Sequence, residues 1–92
     1  MSAYIIVDLT VKDAEKLSQY STAAAPTVAK FNGQFLTKGK IQPLHGVSAF
    51  QNKAVIQFPD TESALSWYAS PEYQQLIALR NDGMDCQFHL VG

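Results

Sequence analysis

WYASPEYQQL, residues 67–76, is the stretch on which the fold turns, because it sets Trp67, Tyr68 and Tyr73 around a Ser70-Pro71 step. Ser70 is a natural N-cap, since its hydroxyl can accept a free N–H of a helix's first turn. Pro71 suits the first helical position, where no N–H is needed, and Glu72 complements the helix dipole. One helix therefore stops near Ala69. A second restarts in a new direction through Tyr73, Leu76, Ile77 and Arg80, and Asp82-Gly83 closes it. Upstream, Pro59-Asp60-Thr61-Glu62 reads as the start of the first of these helices, with Asp60 as N-cap and Glu62 in the first turn. Ala64, Leu65 and Tyr68 are expected on its inner face.

The rest of the chain is punctuated as clearly. Residues 3–10, AYIIVDLT, are rich in β-formers and read as a strand. Asp13 can cap a helix in which Leu17, Tyr20, Ala24, Val28 and Phe31 recur at helical spacing. Pro26 lies inside that stripe and is expected to kink it. Asn32-Gly33 ends the helix, with Gly33 read as the left-handed residue. Strands follow at 34–39 and 53–58, separated by the longest loop, residues 40–52, and a last strand spans 84–91.

The order β-α-β-β-α-β is that of a ferredoxin-like α+β domain. Residues 1–92 are read as one such domain, with a broken second helix and a four-stranded antiparallel sheet of order 4-1-3-2. Two right-handed crossovers are expected to leave strands 1 and 3 in the centre as a parallel pair.

Strand alternation then divides the sheet into two faces. Ile5, Val7, Leu9, Ala54, Ile56, Phe58, Cys86, Phe88 and Leu90 form a nearly all-apolar face that belongs under the helices. The opposite face carries Tyr4, Ile6, Asp8, Val55, Gln57, Asp85, Gln87, His89 and Val91. That mixture is too apolar for open water and too polar for a dry core. It suits a wet sheet-to-sheet contact between two copies of the chain, closing into one barrel.

Composition narrows the function classes. Seven Lys/Arg against eight Asp/Glu give a net charge of -1, without the basic excess of a nucleic-acid binder. No apolar run approaches the ~18 residues of a membrane span. The opening MSAYIIVDLTVKD lacks a basic region before its apolar run, so it does not read as a signal peptide. Cys86 is the single cysteine, which fits a reducing compartment, and the cytoplasm is expected.

The sequence resembles the small bacterial proteins grouped as domain of unknown function 1330, in the dimeric α+β barrel superfamily. The resemblance rests on YIIVDLTVKD, Ala25-Pro26, FNGQFLTKG, the VIQFPD junction, WYASPEYQQL with Arg80, and the closing HLVG. Family members more often have Gly-Gly where this chain has Asn32-Gly33, and an acidic residue where it has His45. The resemblance implies a ferredoxin-like fold and a homodimer, but no particular reaction. Relatives in the wider superfamily include cofactor-free monooxygenases, lactone isomerases and haem enzymes.

No residue set spells out catalysis. There is no GxSxG, no glycine-rich phosphate loop and no GxGxxG. Two histidines and one cysteine supply a protein-only metal site poorly, so no metal is expected. His89 shares the mixed face with Asp8 and Gln57, and can serve as a general base, as a metal or haem ligand, or as an interface hydrogen-bonding group. Asp8 is expected nearer Asp85 or Gln87, and His89 nearer Tyr4 or Ile6, so no direct Asp8–His89 pair is expected. His45 sits in the long loop, where functional residues concentrate. Trp67, Tyr73 and Arg80, with Tyr4 and Tyr20, are candidates to ring a cavity mouth, Arg80 holding a carboxylate or phenolate; core packing is the alternative for the tyrosines.

The expected function is a homodimer binding a small hydrophobic acid or lactone without an organic cofactor. A non-catalytic dimer with no pocket is the alternative. The helix–sheet interior is expected to be filled by Leu17, Tyr20, Leu65, Tyr68 and Leu76. That places the candidate site where the mixed face meets the long loop, near His89, Gln57, Asp8 and His45.

Overall fold

The computed structural model describes residues 2–92. Its elements are β1 (Ala3–Val11), α1 (Ala14–Lys30), β2 (Gln34–Lys40), β3 (Asn52–Phe58), α2 (Thr61–Ala69), α3 (Pro71–Gln74), α4 (Ile77–Gly83) and β4 (Met84–Val91). They form one sheet of order β2-β3-β1-β4 in which every neighbouring pair is antiparallel. The expected parallel pairing of strands 1 and 3 is therefore wrong. The α1 crossover joins β1 to β2, and β3 enters between them by a hairpin from β2, which reverses it relative to both.

Local chemistry sets the helix ends as expected. Asp13 Oδ1 accepts from the Lys16 N–H at 3.1 Å and Asp60 Oδ1 from the Ser63 N–H at 2.7 Å. Ser70 Oγ accepts from the Tyr73 N–H at 3.2 Å and donates to the Trp67 carbonyl at 2.7 Å, so one hydroxyl ends α2 and begins α3. The chain breaks again at Gln75-Leu76, and Gly83 belongs to α4, whose last residue leads directly into β4. Pro26 does not interrupt α1, which continues for another turn to Lys30.

At the end of α1 the left-handed residue is Asn32, with φ 64, and not Gly33. The Asn32 N–H donates to Ala29 O and the Gly33 N–H to Val28 O, each at 3.0 Å, which is the paired bonding of a Schellman turn. Gly33 has a different constraint. A Cβ there would lie 2.6 Å from Phe58 Cε1 and 2.8 Å from Val28 Cγ1.

The core follows the expected apolar face. Ile5, Val7, Ala54, Ile56 and Phe58 are buried beneath Tyr20, Ala24 and Val28 of α1 and Ala64, Trp67 and Tyr73 of the later helices. Leu65 is not among them. It is 57% exposed, because the buried stripe of α2 runs through Ala64 and Trp67, three residues apart, and Leu65 is turned about 100° from Ala64. The helices pack over β1, β3 and β4, with α1 drawn against α4. At Gly83 a Cβ would stand 2.7 Å from the Leu17 nitrogen, so only glycine lets α1 and α4 come so close. Edge strand β2 projects beyond this helical layer and is exposed along its whole length.

Candidate functional site

The projection of β2 opens the helix–sheet interior. A cavity of about 610 Å³ lies between α1 and the sheet, walled by Val7, Ile56 and Phe88 from the strands, Tyr20 and Val28 from α1, and Trp67 from α2. Phe35 and Leu36 flank it on β2 and are 45% and 47% exposed. This corrects the expectation of a filled interior. Leu65 faces outward, Leu17 and Leu76 are half-buried, and neither Tyr68 nor Leu76 reaches the opening.

Few polar side chains reach this cleft. Tyr20 and Ser21 come from α1, and Asn52 from the start of β3. Lys38 comes from β2, where it pairs with Ala54 and so shares the helix-side face. Lys53 also lies along the wall, but its Nζ is held 3.1 Å from Asp8 Oδ1 on the far side of the sheet.

Behind the wall is a buried network of aromatic hydroxyls. Tyr20 and Tyr73 share a hydrogen bond of 2.8 Å. Arg80 Nη1 donates to Tyr68 Oη at 3.0 Å and to Tyr73 Oη at 3.1 Å, and the guanidinium lies 4.9 Å from the centre of the Phe88 ring. Burial works against the Arg80 charge, but the bonds to Tyr68 and Tyr73 outweigh it and hold the group above its ordinary pKa. Burial also raises the Tyr73 phenol, with Tyr20 and Arg80 partly offsetting it. Tyr20 is pushed far up, by burial first and then by Tyr73. Both phenols are therefore neutral at physiological pH. Burial likewise raises the Cys86 thiol, which makes it a poor nucleophile.

The expected ring of Tyr4, Tyr20, Trp67, Tyr73 and Arg80 is thus only partly realised. Tyr20 and Trp67 wall the cleft, whereas Tyr73 is fully buried and Arg80 is occupied by the two phenols. Tyr4 pairs with Gln57 and Val91 on the opposite face.

On that opposite face the register separates the other candidates. Asp8 lies across from Gln87 and His89 across from Ile6. Gln87 Nε2 donates to Asp8 Oδ2 at 3.0 Å while Lys53 holds the other oxygen, so three strands meet at one carboxylate. The Gln87 hydrogen bond is the chief cause of a depressed Asp8 pKa, which burial opposes. Gln57 sits opposite Tyr4, four residues along β1 from Asp8. It bonds Gln34 and Ser2 beside a shallow polar hollow of about 290 Å³. His45 is exposed in the loop between β2 and β3. Asp8, His89, Gln57 and His45 therefore share a face or margin without converging on one point. Among the described residues no cluster of three or more His, Cys, Asp or Glu is placed to hold a metal ion.

Lys38, Ser21, Phe35 and Leu36 were not singled out from the sequence. The signal available was Phe35-Leu36, two large apolar side chains side by side on a strand that the topology places at the sheet edge.

An antiparallel sheet of order 4-1-3-2, with its helices on one face and an apolar cleft beside α1, defines a ferredoxin-like α+β protein. The chain belongs to the family described as a domain of unknown function (DUF1330), which matches residues 2–92. No curated protein matches it significantly. Among solved structures it is similar to a protein of unknown function from Rhodopseudomonas palustris, with TM-score 0.80 and 12% identity over 98% of this chain and 80% of that one. It is also similar to SnoaB, a cofactor-independent oxygenase from Streptomyces nogalater, with TM-score 0.72 and 12% identity over 99% and 91% of the two chains. A dimeric ferredoxin-like protein of unknown function from Thermobifida fusca matches with TM-score 0.59 and 12% identity over 100% and 91%. At these identities the likeness is one of fold.

Proposed function

We propose that this chain is the protomer of a cytoplasmic homodimer, each copy of which binds one small, largely apolar acid or lactone in the cleft beside α1 without an organic cofactor. The cleft carries this reading. Its volume of about 610 Å³ is within the ~300–1,000 Å³ usual for small-molecule sites, and its walls are apolar with few polar groups. Lys38 at the open side supplies a cation for a carboxylate, and Trp67 forms part of the inner wall.

The single tryptophan makes the reading testable. Titration with decanoate and with 2-naphthoate should change Trp67 emission saturably. Lys38→Gln should weaken both acids several-fold and leave decanol unaffected. An unchanged emission up to millimolar acid would reject the binding reading and favour a non-catalytic dimer.

The homodimer is supported by the open sheet face. Tyr4, Ile6, Val55 and Gln57 are half-buried there around the Lys53–Asp8–Gln87 set, and His89 lies beside them. Such a surface suits a partner that tolerates water, and a two-fold axis would set the same face of a second copy against it. The Thermobifida fusca protein of similar fold is described as dimeric. Light scattering at micromolar concentration should give twice the 10.1 kDa chain mass, and Ile6→Arg should return it to the monomer. A wild-type chain that stays monomeric defeats this assembly.

A further inference from the structure

Tyr20 and Tyr73 carry two phenolic protons, and the one hydrogen bond between them can take only one. Arg80 Nη1 donates to Tyr68 and to Tyr73, so those two oxygens already accept. If Tyr20 donated, the proton of fully buried Tyr73 would be stranded without an acceptor, which costs the desolvation of that group. If Tyr73 donates, the proton left over belongs to Tyr20, and of the two residues it is Tyr20 that lines the cleft. The Arg80 cation favours the same direction, because a donor acting on the Tyr73 oxygen makes its O–H a stronger donor in turn. Two other donors near the inner wall, the Trp67 indole and the Thr27 hydroxyl, are committed. Trp67 Nε1 donates to Thr27 Oγ1 at 3.0 Å, and Thr27 donates to Ala24 O at 2.7 Å.

We infer that the Tyr20 hydroxyl, at the end of an Arg80–Tyr73–Tyr20 relay, is the donor that holds a carbonyl oxygen of the ligand at the inner wall of the cleft. This rests on the cleft being the ligand site. It adds that the ligand's apolar frame carries a carbonyl oxygen facing Tyr20, in addition to any acidic group facing Lys38. Both phenols stay protonated through the physiological range, so the relay donates and does not act as a base.

The test compares two neutral probes of one shape, 2-acetylnaphthalene and 2-ethylnaphthalene, by calorimetric titration of the whole chain. The wild type should bind the ketone about five- to tenfold more tightly, the value of one net hydrogen bond. Tyr20→Phe should bring the ratio to about one by weakening the ketone alone. Tyr73→Phe should lower it partway, and Ser66→Ala, at an exposed position outside the cleft, should leave it unchanged. A wild-type ratio of one overturns the inference, as does a preference that survives Tyr20→Phe. A measurement on the wild type alone gives a second check: the carbonyl stretching band of the bound ketone should move below its position in hexane, and an unshifted band overturns the inference. Binding of both probes without discrimination defeats the relay and keeps the cleft as a site. Binding of neither removes both.

Discussion

Trp67 and Thr27 are joined by a buried hydrogen bond of 3.0 Å from the indole Nε1 to the threonine Oγ1. The bond ties α2 to α1 across the inner wall of the cleft, and the same indole rests 4.3 Å from the Tyr73 ring centre and 5.4 Å from that of Phe58. Thr27→Val keeps the shape and removes the acceptor. It should cost about 1–3 kcal/mol, because the indole N–H is left buried and unpaired. Urea denaturation should show a lower midpoint with an unchanged slope, and Thr27→Ser should recover most of the loss. Equal stability for Val and Thr would show that the indole finds another acceptor.

Ser70 is buried and bonded at both ends of the break between α2 and α3. Ser70→Ala should cost about 1 kcal/mol through loss of the cap. Ser70→Asp should not restore it, since the replacement carboxylate would be buried without a cation. Thermal unfolding of the three proteins ranks them, and an aspartate variant as stable as wild type would contradict the burial argument.

Stability should fall in alkali because of Tyr20 and Tyr73. A phenol in the unfolded chain ionises near pH 10, and burial raises both groups above that in the folded chain. Above that pH the folded state holds protons that the unfolded state releases. Their contribution is therefore complete below about pH 10 and is lost as pH rises beyond it. Denaturant midpoints across the alkaline range should drop, and Tyr20→Phe should make the drop shallower. The two phenols should ionise only together with unfolding, as followed by phenolate absorbance.

Gly83→Ala should be costly and Gly39→Ala nearly neutral. The first Cβ meets Leu17 backbone atoms at 2.7 and 2.9 Å, which cannot turn aside, whereas the second meets nothing within 4 Å. A loss of about 1–3 kcal/mol is expected at Gly83 as α1 is pushed from α4. Comparable midpoints for the two variants would show that the helices separate freely.

The elements and their ends were legible because they depend on short-range chemistry. Asp13, Asp60 and Ser70-Pro71 bond backbone groups within a few residues, and strand alternation alone identified the face that holds Ile5, Ile56 and Phe88. Antiparallel counting also brought Asp8 near Asp85 or Gln87, and the register settles on Gln87. Some local details were misread: Asn32 takes the left-handed turn, Gly33 is needed for space against Phe58, Leu65 faces outward, and the restarted helix breaks again at Gln75-Leu76. The cleft was not legible. It depends on where the helical layer settles over the sheet, and that is set by contacts between distant residues, such as Leu17 with Gly83 and Tyr20 with Tyr73. Those contacts draw α1 toward α4 and leave β2 uncovered. Periodicity says which side of a helix is apolar, but only long-range packing determines which strands that side covers.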